Sequence, residues 1–227
     1  MEVSDRKVVT RSPSHAVHAV CAGGLLDSYV EAESRLEAHF IRRAALIPSR
    51  PKIIHQPFKA PISKKGYTPD FLVFFPKSGF KAVVEVKPAE LISSEFTDLF
   101  DKAAEFFPAR GFSFYVVTDY DLKRGEIHRR AKLLTRYAKD SITEETVRRA
   151  TDALSSAPLG LPIGTLAKRA SVSHHEILSL IAHGALRSGS KLQTDLSALV
   201  FLPLKTDIDD EIFFCDWFST SVWGPDA

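Results

Sequence analysis

The chain has 227 residues, 44% of them hydrophobic, and a formal net charge of +2. That length supports one large domain or two smaller ones, each with a buried core, and no stretch approaches the roughly 18 apolar residues of a membrane span. Two distant cysteines, Cys21 and Cys215, exclude a disulfide framework and a zinc knuckle; with a charged rather than apolar beginning (MEVSDRKVVTRS), they predict a soluble, cytoplasmic protein with no membrane association.

Residues 1–24 lack sustained periodicity and are rich in Ser, Thr and basic residues, which predicts a flexible N-terminal arm, its His15 and His18 solvated rather than ligating. From Ser28, apolar residues at Val30, Leu36, Phe40, Ile41 and Ala44 recur at helical spacing up to Pro48. Glu33 and Glu37 lie one turn apart on this helix, and either could be the carboxylate it delivers to a site; Glu37 borders the Phe40/Ile41 stripe.

Residues 52–62 (KIIHQPFKAPI) form a short, proline-interrupted edge segment. Tyr67 to Phe75 and Lys81 to Lys87 are Phe- and Val-rich strands joined in a hairpin by Pro76 to Phe80. Phe96, Leu99, Phe100, Ala103 and Phe107 then mark one helical face, and FSFYVVTD follows as a buried strand. A strand, a helix and a second apolar strand imply a right-handed crossover with the two strands parallel. The fold class is therefore α/β, a mixed sheet flanked by helices. Residues 121–139 form a basic helix carrying Lys123, Arg124, Arg129, Arg130, Lys132, Arg136 and Lys139, a candidate contact for the DNA backbone.

After Ser141 the order helix, helix, turn, helix is followed by a two-stranded segment, and residues 141–204 read as a small winged-helix-like domain. His174 and His175, at the start of its last helix, are read as caps. Residues 205–227 hold one lysine against six acids, a charge of −5 that leaves +7 for the rest of the chain. In this acidic aromatic tail, Phe213, Phe214, Trp217 and Phe218 are candidate anchors for a partner protein.

Charged residues end two of the most apolar strands: Pro69-Asp70 on one, Glu85-Val86-Lys87 on the other. Burying ionised groups among Val and Phe costs several kcal/mol unless they pair or bind a metal. Glu85 and Lys87, two apart, share a strand face. If Phe75 pairs with Lys81, Asp70 falls opposite Val86 and points to the other face, so the site requires a register shifted by one residue, or a bulge. On that condition Asp70, Glu85, the Val86 carbonyl and Glu37 make a hard oxygen set suited to Mg²⁺ or Mn²⁺. Lys87 would orient the attacking water and offset charge at a scissile phosphate.

Glu37, Pro69-Asp70 and Glu85-Val86-Lys87 match the PD-(D/E)xK nuclease pattern. With SRLE in the first helix, Gln56-Pro57, YTPDFLV, EVKPAE and VVTDYDL, the chain over residues 30–140 resembles the TnsA family of transposon endonucleases. The resemblance implies a restriction-endonuclease-like domain over residues 25–140 and favours Glu37 through SRLE; family members with Gln at the Glu85 position make Asp70 the firmer metal ligand. It implies an Mg²⁺-dependent subunit of a heteromeric transposase that nicks double-stranded DNA at the 5′ ends of the element, alongside a DDE-type transposase and an AAA+ ATPase regulator. The alternatives are a stand-alone restriction or repair nuclease and a non-catalytic DNA-binding adaptor.

Overall fold

The computed structural model describes residues 18–203 and 209–224. His15 and most of the expected arm lie outside those residues, as do Lys205 and Asp207 of the tail. The part of the arm that is described begins in a strand: β1 (His18–Val20) pairs antiparallel with β2 (Val30–Ala32). The helix expected from Ser28 therefore starts later, as α1 (Arg35–Ala44), because Ser34 is its N-cap and accepts from the Glu37 N–H at 3.1 Å.

A four-stranded sheet forms the centre. Its strands are β3 (Lys52–His55), β4 (Phe71–Phe74), β5 (Lys81–Lys87) and, after α2 (Ser94–Phe106), β6 (Ser113–Thr118), arranged β3-β4-β5-β6. The first two pairings are antiparallel, and β5 runs parallel to β6 across the α2 crossover, which is the mixed sheet the sequence predicts. Alternation divides the side chains between two faces. Leu72, Val83, Phe114 and Val116 pack with Phe100, Ala103 and Phe107. Phe71, Val73, Phe75, Val84 and Tyr115 pack on the other face with Phe40 and Ile41 of α1.

The basic segment is two helices rather than one. Asp119–Lys123 (α3) and Ile127–Tyr137 (α4) are separated where Gly125 (φ 54°) and Glu126 (φ 64°) enter the left-handed region and no regular helix can continue. Beyond α4, the helix α5 (Glu144–Ser155), strand β7 (Leu161–Pro162), helices α6 (Ile163–Ala170) and α7 (His174–Ala182), and strands β8 (Arg187–Ser188) and β9 (Leu199–Phe201) make a small unit with sheet order β7-β9-β8. Its Leu154, Leu166, Ile177 and Val200 are continuous with the core of the larger unit. Ser173 and Glu176, in a reciprocal capping box, start α7, so His174 and His175 are not its caps. Those histidines instead meet the Thr194 carbonyl at 2.7 Å and Asp140 at 2.8 Å.

The tail departs most from expectation. Residues Asp210–Phe218 form α8, which returns to the sheet face and buries Phe214, Trp217 and Phe218 against Phe40, Phe75 and Tyr115. Three of the four expected partner anchors are thus core residues, and Phe213 is half-buried, stacked on Trp217 at 5.5 Å. The acids between them serve the fold: Asp209 caps α8, Asp210 accepts from Ser78 at 2.6 Å, and Glu211 accepts from Ser113 and Tyr115 at 2.8 and 2.9 Å. Arg43, buried in α1, donates to the Asp121 and Trp217 carbonyls, and the Trp217 indole N–H returns a bond to the Arg43 carbonyl. After α8 the chain runs along the outer edge of β6, where the Trp223 N–H donates to the Phe114 carbonyl at 2.9 Å. An edge that would otherwise be open for pairing is covered.

Candidate active site

The hairpin meets the register condition. Phe74 pairs with Lys81 and Phe71 with Val84, so the next position sets Asp70 opposite Glu85. The loop is four residues, Pro76 to Gly79: the Phe75 N–H donates to the Phe80 carbonyl and Gly79, at φ 77°, donates back to the Phe75 carbonyl, both at 2.9 Å. Gly79 takes the left-handed conformation that closes this turn at little strain. Asp70, Glu85 and Lys87 therefore share the face of Leu72 and Val83.

Pro69, one residue before Asp70, extends that register to a position opposite Val86. In an antiparallel ladder that pair would exchange bonds, but proline has no N–H, so nothing is donated from there to the Val86 carbonyl. The Val86 N–H is instead taken by Asp70 Oδ2 at 2.8 Å. One side chain and one proline thus end the ladder and leave a backbone oxygen beside two carboxylates.

Glu85 is 6% exposed and holds two donors: the Tyr67 hydroxyl on Oε2 at 2.7 Å and Lys87 Nζ on Oε1 at 3.2 Å. The Lys87 ammonium also sits 3.9 Å from the centroid of the Phe96 ring, so a carboxylate and an aromatic face fix its position. Burial pushes the Asp70 carboxyl well above the usual range, with the negative charges of Glu85 and Glu37 adding to it. Burial likewise raises Glu85, opposed by the Tyr67 and Lys87 contacts. The Tyr67 phenol is held well above its ordinary value by burial and by Glu85, so it stays a donor.

Burial separates the two candidate helix carboxylates. Glu37 is buried and Glu33 is exposed. Glu37 Oε2 accepts from the Glu33 N–H at 2.7 Å and lies 3.9 Å from Nε2 of buried His55. Burial raises the Glu37 carboxyl, and Glu85 is among the charges that add to the rise. The SRLE segment is therefore a helix start as well as a motif: Ser34 caps α1 and Glu37, three residues on, closes the cap from inside. Glu33 Oε1 instead accepts from the Gln56 side chain at 3.1 Å, and the Gln56 N–H donates to the Asp70 carbonyl at 2.8 Å.

Tyr67, Phe96 and His55 carry no role in the sequence reading. Tyr67 reaches Glu85 only because an isolated bridge between Ala60 and Tyr67 folds the loop back over the sheet, a contact with no local periodicity to announce it. Of the expected backbone-contacting residues, Lys123, Arg124, Arg129, Lys132 and Arg136 are exposed. Arg129 pairs with Glu126 at 2.8 Å, and Arg130 donates to the Lys191 carbonyl at 3.0 Å, tying α4 to the smaller unit.

Residues 47–119 match the family model described as TnsA-like endonuclease N terminal. The chain carries a TnsA-like endonuclease domain. The matched stretch begins before β3 and ends at the first residue of α3, so it holds Asp70, Glu85, Val86 and Lys87, while Glu37, α4 and α8 lie outside it. A search of curated proteins returns no match. The mixed sheet flanked by helices agrees with the restriction-endonuclease-like architecture of such a domain.

Among the described residues no group of three or more His, Cys, Asp or Glu side chains is gathered so as to hold a metal ion. The donor chemistry nevertheless fits a hard divalent cation: two carboxylates, buried Glu85 and half-buried Asp70, sit opposite each other, each raised by desolvation, beside the Val86 carbonyl that Pro69 cannot serve. An open set of this kind leaves positions for water and a phosphate oxygen, as a catalytic ion needs. Among the described residues no helix is long and apolar enough to cross a membrane.

Proposed function

We propose that this protein is a divalent-metal-dependent DNA endonuclease, the subunit of a heteromeric transposase that hydrolyses phosphodiesters at the 5′ ends of the element. The observation that carries the reading is the placement of Asp70 against Glu85, with Lys87 on the same face, inside a TnsA-like domain. Asp70, Glu85 and the Val86 carbonyl would hold Mg²⁺ or Mn²⁺, with Glu37 joining directly or through water. When bound, the ion would polarise the scissile phosphate and acidify water.

The protein's own groups do the rest. Lys87, held in place by Glu85 and Phe96, hydrogen-bonds the attacking water and faces the charge that builds on the phosphate oxygens. Tyr67 fixes the Glu85 carboxylate so that it cannot turn away from Asp70. The exposed cations of α3 and α4 carry the DNA backbone. The smaller unit, read as a winged helix, supplies a second contact to DNA or protein. The partners in this reading are double-stranded transposon ends, a DDE-type transposase and an AAA+ regulator.

The test is strand-specific nicking of end-containing DNA by the full chain in Mg²⁺, with and without a DDE-type transposase partner. The expected result is 5′ nicking that needs both Mg²⁺ and the partner and is abolished in Lys87→Ala, which keeps the wild-type melting profile. Efficient cutting without any partner would support a stand-alone nuclease, and retained nicking in Lys87→Ala would overturn the site.

A further inference from the structure

The catalytic face ends in two loops that the structure ties together. Lys87, the last residue of β5, pairs with Thr118, the last of β6. The Ala89 N–H of the first loop donates to Asp119 Oδ1 of the second at 2.9 Å. Two of the described residues with the most exposed large apolar side chains stand in these loops: Tyr120 at 73% and Leu91 at 54%.

Tyr120 is not on a loose segment. Thr118 and Asp121 form a reciprocal capping box at the start of α3, with Asp121 accepting from the Thr118 N–H and hydroxyl, both at 2.7 Å. Asp121's own carbonyl is held by buried Arg43 at 2.6 Å. The helix carrying Tyr120 is thus anchored at its first turn and through its backbone, while the ring extends into solvent. Two exposed cations, Lys123 and Arg124, follow on the same short helix and its end, Lys123 loosely paired with Asp119 at 3.7 Å, with exposed Glu126 beyond them. A rigidly held, exposed aromatic followed by two exposed cations, two residues beyond the strand partner of Lys87, matches the chemistry of a nucleobase beside its phosphates.

We infer that Tyr120 is a base-stacking platform next to the scissile phosphate, taking an unpaired base of the strand on which Lys87 acts. The inference rests on the nuclease reading both for the location of the phosphate and for nucleic acid as the occupant. Stacking there would favour DNA whose pairing is opened at the cut, such as a distorted or frayed element end.

The test compares the full chain with Tyr120→Ala and Tyr120→Phe, by fluorescence anisotropy in EDTA, on a forked duplex and a fully paired duplex of the same sequence. Tyr120→Ala should bind the fork about tenfold more weakly, the scale of one lost base–aromatic stack, while Tyr120→Phe binds it as wild type does and the paired duplex is unaffected by either. A 2-aminopurine at the fork junction should be quenched on binding by wild type and not by Tyr120→Ala. Equal affinity of wild type and Tyr120→Ala for the fork overturns the inference, as does a loss in Tyr120→Phe as large as in Tyr120→Ala. Loss of transposase capture by Tyr120→Ala with normal fork binding also overturns it, in favour of a protein contact. Mg²⁺-dependent nicking is scored separately. Nicking with Tyr120-independent binding removes only the stacking platform; Tyr120-dependent binding without any nicking removes only the cleavage reading.

Discussion

The Tyr67 hydroxyl donates to Glu85 Oε2 at 2.7 Å while Lys87 takes the other oxygen, so one buried carboxylate is held from both sides. Tyr67→Phe removes one donor without changing the ring's packing against Phe107 and Phe114. The loss should destabilise the fold by about 1 kcal/mol, the scale of one hydrogen bond to a buried group. Cleavage should fall further than stability, because Glu85 is then free to turn. Melting curves and nicking rates measured on the same preparation check this; a rate equal to wild type would show that Tyr67 is only structural.

Phe96 is the second support of Lys87. Replacing it with Leu keeps an apolar side chain at a half-buried position but deletes the ring face 3.9 Å from the ammonium. A contact of that kind is worth about 0.5–2 kcal/mol. The expected outcome is a several-fold slower nicking rate at saturating DNA with unchanged DNA affinity. If affinity fell instead and the rate held, Phe96 would be contacting DNA rather than positioning the lysine.

The carboxylate pair should make the metal-free protein sensitive to pH. The Asp70 carboxyl is raised by burial and by its neighbours, so the folded state binds its proton more tightly than the unfolded chain does. Its contribution to stability is then full below the ordinary carboxylate pKa of about 4 and declines as pH rises toward the folded value. Asp70→Asn keeps an acceptor for the Val86 N–H but carries no charge. In EDTA, it should melt several degrees higher than wild type at pH 7, and the difference should close on acidification to about pH 4. Added Mg²⁺ should raise the melting temperature of wild type and leave Asp70→Asn nearly unmoved.

The clustering of Asp70, Glu85 and Lys87 as a candidate site was legible because charges at the ends of Phe- and Val-rich strands have few structural explanations. The register was not, since a four-residue and a five-residue hairpin loop differ only in whether Phe75 meets Phe80 or Lys81, and no side-chain pattern separates them. Tyr67 was hidden for a related reason: its partner is 18 residues away and is brought close by a single bridge. Strands β1 and β2, three residues each, are too short for alternation to be read. For α8 the signal was present and outweighed. Phe214, Trp217 and Phe218 stand at helical spacing of i, i+3 and i+4, but the acids preceding them, Asp210 and Glu211, pointed to an acidic tail whose aromatics dock a partner. Those acids are satisfied by Ser78, Ser113 and Tyr115, three hydroxyls scattered along the chain that a local reading has no means to assemble.

That placement of α8 changes what truncation should do. A docking tail could be removed with the catalytic domain intact, whereas here Phe214 and Phe218 cover the sheet face between Phe40, Phe75 and Tyr115. Deleting residues 205–227 should therefore expose that face and leave Arg43 buried in α1 without the Trp217 carbonyl it holds, giving aggregation or loss of a cooperative melting transition. The point variant Phe214→Ala tests the same claim more gently: a large-to-small change at a fully buried aromatic costs about 3–5 kcal/mol, enough to lower the midpoint of urea unfolding clearly while the chain still folds. Ile212, 68% exposed on the outer side of α8, is the control; Ile212→Ala should leave the midpoint almost unchanged. A truncated chain that melts and nicks as the full one does would return the segment to the role of a detachable tail.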